Sequence, residues 1–193
     1  MEELTKFKTD LERAKTELNI LYEISNAMRT TLKLEEILYI ILTGVTAHTG
    51  LGFNRAILFL INETEGIIEG KMAIGPESGE EANVIWKQIK QEKMDLDDLI
   101  SVYKTSSSAT DSRLNQQIRN LKTPLREQQG GLLALSVLEG MPLHLTPETI
   151  VNYSDDQIIN ILRNDELVLV PLKAKDKVNG IIIADNFVTR KPI

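Results

Sequence analysis

The chain has 193 residues, 42% of them apolar and 26% charged, which is enough for one sizeable core. A net charge of −6 argues against a basic nucleic-acid face, and the absence of cysteine excludes disulfides, thiolate metal sites, thiol catalysis and thioether-linked chromophores. No apolar run approaches the ~20 residues that span a bilayer, and the start is polar and amphipathic, unlike a signal peptide. The expectation is a cytoplasmic protein, with no nucleic-acid partner and no membrane insertion in this segment.

In chain order, the first signal is a seam. Leu4, Phe7, Leu11, Ala14, Leu18, Leu21, Ser25 and Met28 alternate at spacings of three and four, the 3.5-residue period of a coiled coil. Ile20, Ile24 and Ala27 widen the stripe after residue 20. Residues 1–30 therefore read as a signalling-type helix whose first half pairs with a second copy and whose second half also touches its own domain. The other reading is a helix packed only within its own chain.

Residues 31–193 read as one globular domain. Leu34, Ile37, Leu38, Ile41, Leu42 and Val45 form a broad helical stripe suited to a core. Gly50-Leu51-Gly52 ends that helix. Phe53 to Asn62 lacks helical period and predicts a buried central strand, and Ile67 to Ile74 predicts its hairpin partner. A helix is expected from Gly79 to about Met94, with Ala82, Ile85, Trp86 and Ile89 on one face. Lys104 to Thr110 reads as a loop. Leu114, Ile118 and Leu121 mark a short helix before Pro124. A helix over Gly131–Glu139, closed by Gly140, precedes a short strand over Met141–Leu145. Asp155–Arg163 is the last predicted helix, with Ser154 placed to cap it. Strands over Glu166–Ala174 and Val178–Phe187 flank a tight turn at Lys175-Asp176-Lys177. Helices grouped around a mostly antiparallel sheet make an α+β domain.

Charge is segregated along the chain. Residues 63–98 hold ten acidic and four basic side chains, whereas residues 104–126 set Lys104, Arg113, Arg119, Lys122 and Arg126 against Asp111 alone. The second stretch is either a solvated helix face or a small anion-attracting patch. The acidic pairs Glu80-Glu81, Asp97-Asp98 and Asp155-Asp156 sit at predicted helix starts, where they offset exposed amide dipoles, so capping is favoured over acid–base chemistry. His48 reads as a helix-end residue. His144 has no partner at metal-ligand spacing. No phosphate-binding glycine loop occurs, and neither a catalytic constellation, a metal site nor a cofactor is expected.

Several phrases resemble a GAF domain, the sensory module of bacterial signalling proteins: GLGFNRAILFLINE, AIGP, EEANVIWKQI, DSRLNQQIRNLKTPL and LVLVPLKAKDKVNGIIIADN. The last is the most specific, joining Pro171, Leu172, Lys175, Gly180, Asp185 and Asn186. With Trp86 and the DSRLN phrase, the chain looks like the GAF domains of sensor histidine kinases and related regulators. The resemblance implies a GAF-like central antiparallel sheet flanked by helices and preceded by a coiled-coil helix. It also implies a closing C-terminal helix and an output domain beyond Ile193, so that the chain is a sensory region of a longer protein.

The resemblance further implies that the first and last strands pair, setting Arg55 opposite Asp185. These two form either a structural cross-strand pair or a polar handle for a ligand. Met72 and Trp86 either fill core or line a pocket. Asn115 and Arg119, one helical turn apart, either face solvent or reach an anionic ligand. The functional expectation is a non-enzymatic module that dimerises through its first helix, holds a small molecule between the sheet and residues 95–130, and controls an output domain. The rival is a ligand-free connector. Cyclic-nucleotide binding ranks lower, because the pattern of nucleotide-binding relatives is not matched. Free methionine sulfoxide reduction and covalent bilin attachment both need cysteine.

Overall fold

The computed structural model describes residues 1–46, 51–92, 94, 98–101, 112–126 and 129–193. The expectations for His48, Gly50, Asp97 and the loop 104–110 lie outside these residues. Helix α1 (Glu2–Met28) is continuous, as a run without glycine or proline allows. It packs on α2 (Leu34–Thr46) only through its second half, where Ile20 and Ala27 are buried and Ile24 and Met28 are half-buried. A Cβ on Gly44 would lie 2.2 Å from the Ile24 Cδ1 atom, so glycine at this position allows the two helices their close approach. The apolar stripe of α2 begins at Ile37, because Leu34 is exposed. Leu38 and Leu42 face the sheet and Ile40 faces α1, which makes α2 the spacer between rod and domain.

Strands β1 (Arg55–Asn62), β2 (Ile67–Ile74), β3 (Lys122–Pro124), β4 (Leu143–Leu145), β5 (Leu167–Ala174) and β6 (Lys177–Asp185) form one antiparallel sheet in the order β3-β2-β1-β6-β5-β4. The expected hairpins are present, and β1 pairs with β6 from Arg55↔Asp185 to Leu60↔Gly180. Every residue of β1 from Arg55 to Phe59 is buried, which is the signature of a central strand covered on both faces.

Alternation sorts the two faces. Leu58, Met72 and Ile182 pack under α2. Ile57, Phe59, Ile181 and Ile183 point the other way, into the main core. That core is closed by α4 (Arg113–Arg119), α5 (Gly131–Glu139) and α7 (Gln157–Leu162). Helix α3 (Gly79–Glu92) follows β2 and buries Ala82 fully, with Ile85, Trp86 and Ile89 half-buried.

Several boundaries differ from expectation, and the short strand β3, which runs up to Pro124, is not among the expected elements. Residues Pro147–Ile150 form a helical turn, α6, set by Pro147 in its first turn and a reciprocal Thr146/Thr149 capping box, and it runs into a 3₁₀ turn at Val151–Tyr153. The cap of α7 is Asp156, not Ser154: Asp156 Oδ1 accepts the Ile158 amide at 2.9 Å, because Ser154 belongs to the preceding turn. Strand β6 ends at Asp185 instead of Phe187, because the Phe187 amide turns to the Asp185 carboxylate and those of Val188 and Thr189 to Asn54.

Candidate functional site

The register that pairs β1 with β6 brings Arg55 and Asp185 face to face in the main core layer. Arg55 is 3% exposed and Asp185 is fully buried. The guanidinium Nε donates to Asp185 Oδ1 at 3.0 Å and Oδ2 at 3.1 Å, and Nη2 also reaches Oδ2. Nη2 donates again to the Leu162 carbonyl at 2.8 Å, at the last turn of α7. One face of the guanidinium lies 4.1 Å from the centre of the Phe187 ring. Arg190 approaches the same ring at 5.4 Å. Asp185 Oδ1 additionally accepts the Phe187 amide at 3.1 Å.

The pair is thus structural in its geometry. Removing two charges from water is costly, and the attraction offsets that cost only when remaining donors and lone pairs are satisfied. The fork on Asp185 and the Leu162 carbonyl engage Nε and Nη2 of the guanidinium in this way. Beside the pair, Asn54 Oδ1 accepts the amides of Val188 at 2.9 Å and Thr189 at 2.7 Å, and the Thr189 hydroxyl at 3.1 Å. Asn186 Nδ2 donates to the Lys191 carbonyl at 2.9 Å. Arg190 Nη1 binds Asn164 Oδ1 and, at 2.8 Å, Asp165 Oδ1. Residues 186–190 are therefore folded back onto the start of β1.

The other predicted site residues are not drawn to this cluster. Met72 is fully buried in the opposite layer, under α2. Asn115, 1% exposed, uses Oδ1 to accept the Ala73 amide at 2.8 Å, tying α4 to β2. That attachment is tight, since a Cβ on Gly70 would lie 1.8 Å from the Ile118 carbonyl oxygen. Arg119 points outward and pairs with Glu35 at 3.5 Å. Lys122 pairs with Glu69 at 3.3 Å, so these two cations of the basic stretch lie against local carboxylates. Lys71 and Lys122 hold the Glu69 carboxyl below its ordinary pKa through hydrogen bonds and charge.

Of the acidic pairs, Glu81 and Asp156 accept backbone amides at helix starts. Ser78 Oγ accepts the Glu81 amide at 3.1 Å, and Glu81 Oε2 accepts the Glu77 amide at 2.7 Å. Asp156 serves two helices, since Oδ2 also accepts the Leu132 amide at 2.8 Å at the start of α5. His144 Nε2 lies 2.9 Å from Glu166 Oε1. Among the described residues no His, Asp and Glu cluster of metal-binding size occurs, and no helix is long and apolar enough to cross a membrane.

Open depressions lie among the described residues. One, of about 520 Å³, lies at the hairpin ends between Leu60, Asn62, Lys71, Lys177 and Asn179. Another, of about 590 Å³, lies between Ile150, Ile159, Arg163, Asn164 and Arg190. Neither is lined by Arg55, Met72, Trp86, Asn115, Arg119 or Asp185. Sequence reasoning missed Asn54, Phe187 and Arg190. Asn54 sits inside a quoted phrase as a polar residue beside an apolar strand, which is a usable signal; Phe187 and Arg190 carry none.

No protein-family model matches the sequence, and no curated protein matches it. Solved structures do match. The GAF domain of a phosphoenolpyruvate-protein phosphotransferase from Coxiella burnetii is 14% identical, with a TM-score of 0.57, covering 88% of this chain and 77% of that one. A segment of a methyl-accepting chemotaxis protein is 15% identical at a TM-score of 0.56, covering 88% and 82%. The phycoerythrobilin-bound GAF domain of a cyanobacterial phytochrome is 12% identical at 0.56, covering 93% and 86%. The chain has a GAF-like α+β fold with a long N-terminal helix. At these identities the likeness establishes the fold and nothing further.

Proposed function

We propose that this chain is a sensory and regulatory module of GAF type, which dimerises through α1 and passes a small-molecule signal to an output domain, a two-component histidine kinase being the favoured one. The observation that carries the reading is the seam on α1. Leu4, Phe7, Leu11, Leu18 and Leu21 are between 63% and 79% exposed, while Ile20 and Ala27 on the flanking positions are buried. A helix whose first-half apolar residues are exposed among the described residues gains little from packing, and isolated helices are marginal in water. A second copy laid along Leu4, Phe7, Leu11, Ala14, Leu18, Leu21 and Met28 supplies the missing burial.

The proposed ligand site lies between one face of the sheet and the described residues of the segment 95–130. Trp86, half-buried, and Arg119, outward-facing, are the proposed contacts, since Arg55, Asp185, Asn115 and Met72 are engaged in structure. A bound molecule transmits a signal only through a difference in affinity between two arrangements of the α1 pair. A bilin is bound by one neighbour, and another is a free methionine-R-sulfoxide reductase in complex with its substrate. Without cysteine, this chain is proposed to do neither thioether attachment nor that reduction.

A specific observation favours the second reading, a ligand-free connector. Ile57, Phe59, Ile181 and Ile183 are fully buried under the described helices, so that part of the sheet face is already filled. Light scattering on the full chain tests dimerisation: the expected mass is that of two chains, and a monomer at high concentration sinks the reading. A thermal-shift screen of nucleotides, organic acids and amino acids separates sensor from connector, since a saturating stabilisation is produced only by a bound ligand.

A further inference from the structure

We propose that residues 186–190 are a strap held shut by Arg55, and that movement of α7 releases it. The inference concerns the mechanics of the fold, and it holds whether or not the module binds a ligand. Arg55 joins three parts at once: the end of β6 through Asp185, the last turn of α7 through the Leu162 carbonyl, and the strap through the Phe187 ring. A guanidinium is planar and rigid, so these three contacts share one orientation. When α7 shifts, Nη2 loses the Leu162 carbonyl unless the plane tilts. A tilt pulls Arg55 from the Asp185 fork and from the ring. Neither position is favourable for a buried cation, which makes α7 and the strap move together.

Both ends of this linkage are anchored. Asp156 caps α7 and, through its second oxygen, the Leu132 amide of α5, so the two helices over the main core act as one body. On the other side, Asn54 holds Val188 and Thr189, and Arg190 packs on the outer face of the cluster against Phe187, Asn164 and Asp165. Most strap contacts are half-buried hydrogen bonds rather than apolar packing in the core, so the strap can open while the sheet stays folded. The element therefore has two states, and its bias is set from the helix side.

Amide exchange measured by NMR on the full chain tests this. Phe187→Leu removes the stacked ring without stranding a charge. Val188 and Thr189 are expected to exchange about tenfold faster, and linkage requires the α7 amides of Asn160 and Arg163 to accelerate by a comparable factor. Asp156→Ala, acting from the far end, is expected to speed Val188 and Thr189. In the Arg55→Lys background, which loses the fork geometry, it adds nothing further at those two amides. The proposal is overturned if Phe187→Leu frees the strap while α7 keeps its rates. It is equally overturned if the Asp156 and Arg55 effects simply multiply. Acceleration of the β1–β6 ladder by the same factor also overturns it, because no separate strap then exists.

Discussion

The first half of α1 and the Arg55–Asp185 pair invert the usual sorting of side chains. One puts a row of leucines in water; the other puts two charges in the core. The difference lies in completion. Arg55 and Asp185 reach the Leu162 carbonyl, the Phe187 amide and each other, so their environment is closed within the chain. The first half of the α1 seam has an apolar period, and its leucines are exposed among the described residues. A closed polar cluster explains itself by structure, whereas an open apolar row asks for a partner.

Breaking the closed cluster has the largest expected effect. Arg55→Met leaves Asp185 buried without its cation, and such a loss costs about 3–5 kcal/mol in urea unfolding. Pairing it with Asp185→Leu removes both charges and is expected to recover most of that loss, because apolar replacements of a buried pair are often neutral. If the single variant is as stable as the parent, the pair is not closed in the sense argued. The open row responds differently. Leu11→Glu leaves the domain's unfolding unchanged but weakens self-association by about 1.5–3 kcal/mol per chain, the value of burying one leucine. Sedimentation at several concentrations reads that shift, and a seam that ignores the glutamate has no partner along it.

Asp156→Ala ranks next, at about 0.5–2 kcal/mol for an N-cap lost. Because the same carboxylate also takes the Leu132 amide, the loss is expected toward the upper end of that range, and α5 as well as α7 frays. Ser154→Ala is the control and leaves both helices intact. Swapped outcomes restore the serine cap that the sequence pointed to.

What was legible follows the same division. Periodicity exposed α1, and a bulky apolar run without helical period exposed β1, because a strand covered on both faces is apolar throughout. The Arg55–Asp185 pairing was readable once the GAF resemblance implied that β1 and β6 pair antiparallel, which puts the start of one opposite the end of the other. Polar closure was not readable. Asn54 holding Val188 and Thr189, Asp156 replacing Ser154 as the cap, and Thr149 completing the Thr146 box each depend on local backbone directions that residue spacing does not fix. Asn115 shows the limit for the site. Its place next to the basic stretch suggested a ligand contact, yet its oxygen is taken by the Ala73 amide, a bond made only once α4 has crossed β2.

Glu69 offers the smallest test, at the edge of the sheet. It stands opposite Lys122 in the short β2–β3 ladder, with Lys71 two residues along its own strand, 2.6 Å away. Hydrogen bonds from the two lysines lower its carboxyl below the ordinary 4.5. A carboxylate favoured by folding releases its proton more readily in the folded chain, so its contribution is complete above the unfolded pKa and fades as pH drops through the lower folded value. Exposure to water and salt keeps the effect small. Acidification from pH 5 is therefore expected to loosen β3 against β2 before the β1–β6 ladder responds, read as faster exchange of the Gly70 amide, which donates to the Leu121 carbonyl at 3.0 Å. Glu69→Gln removes that pH step and leaves the Arg55 cluster untouched; a step that survives the substitution belongs to some other carboxylate.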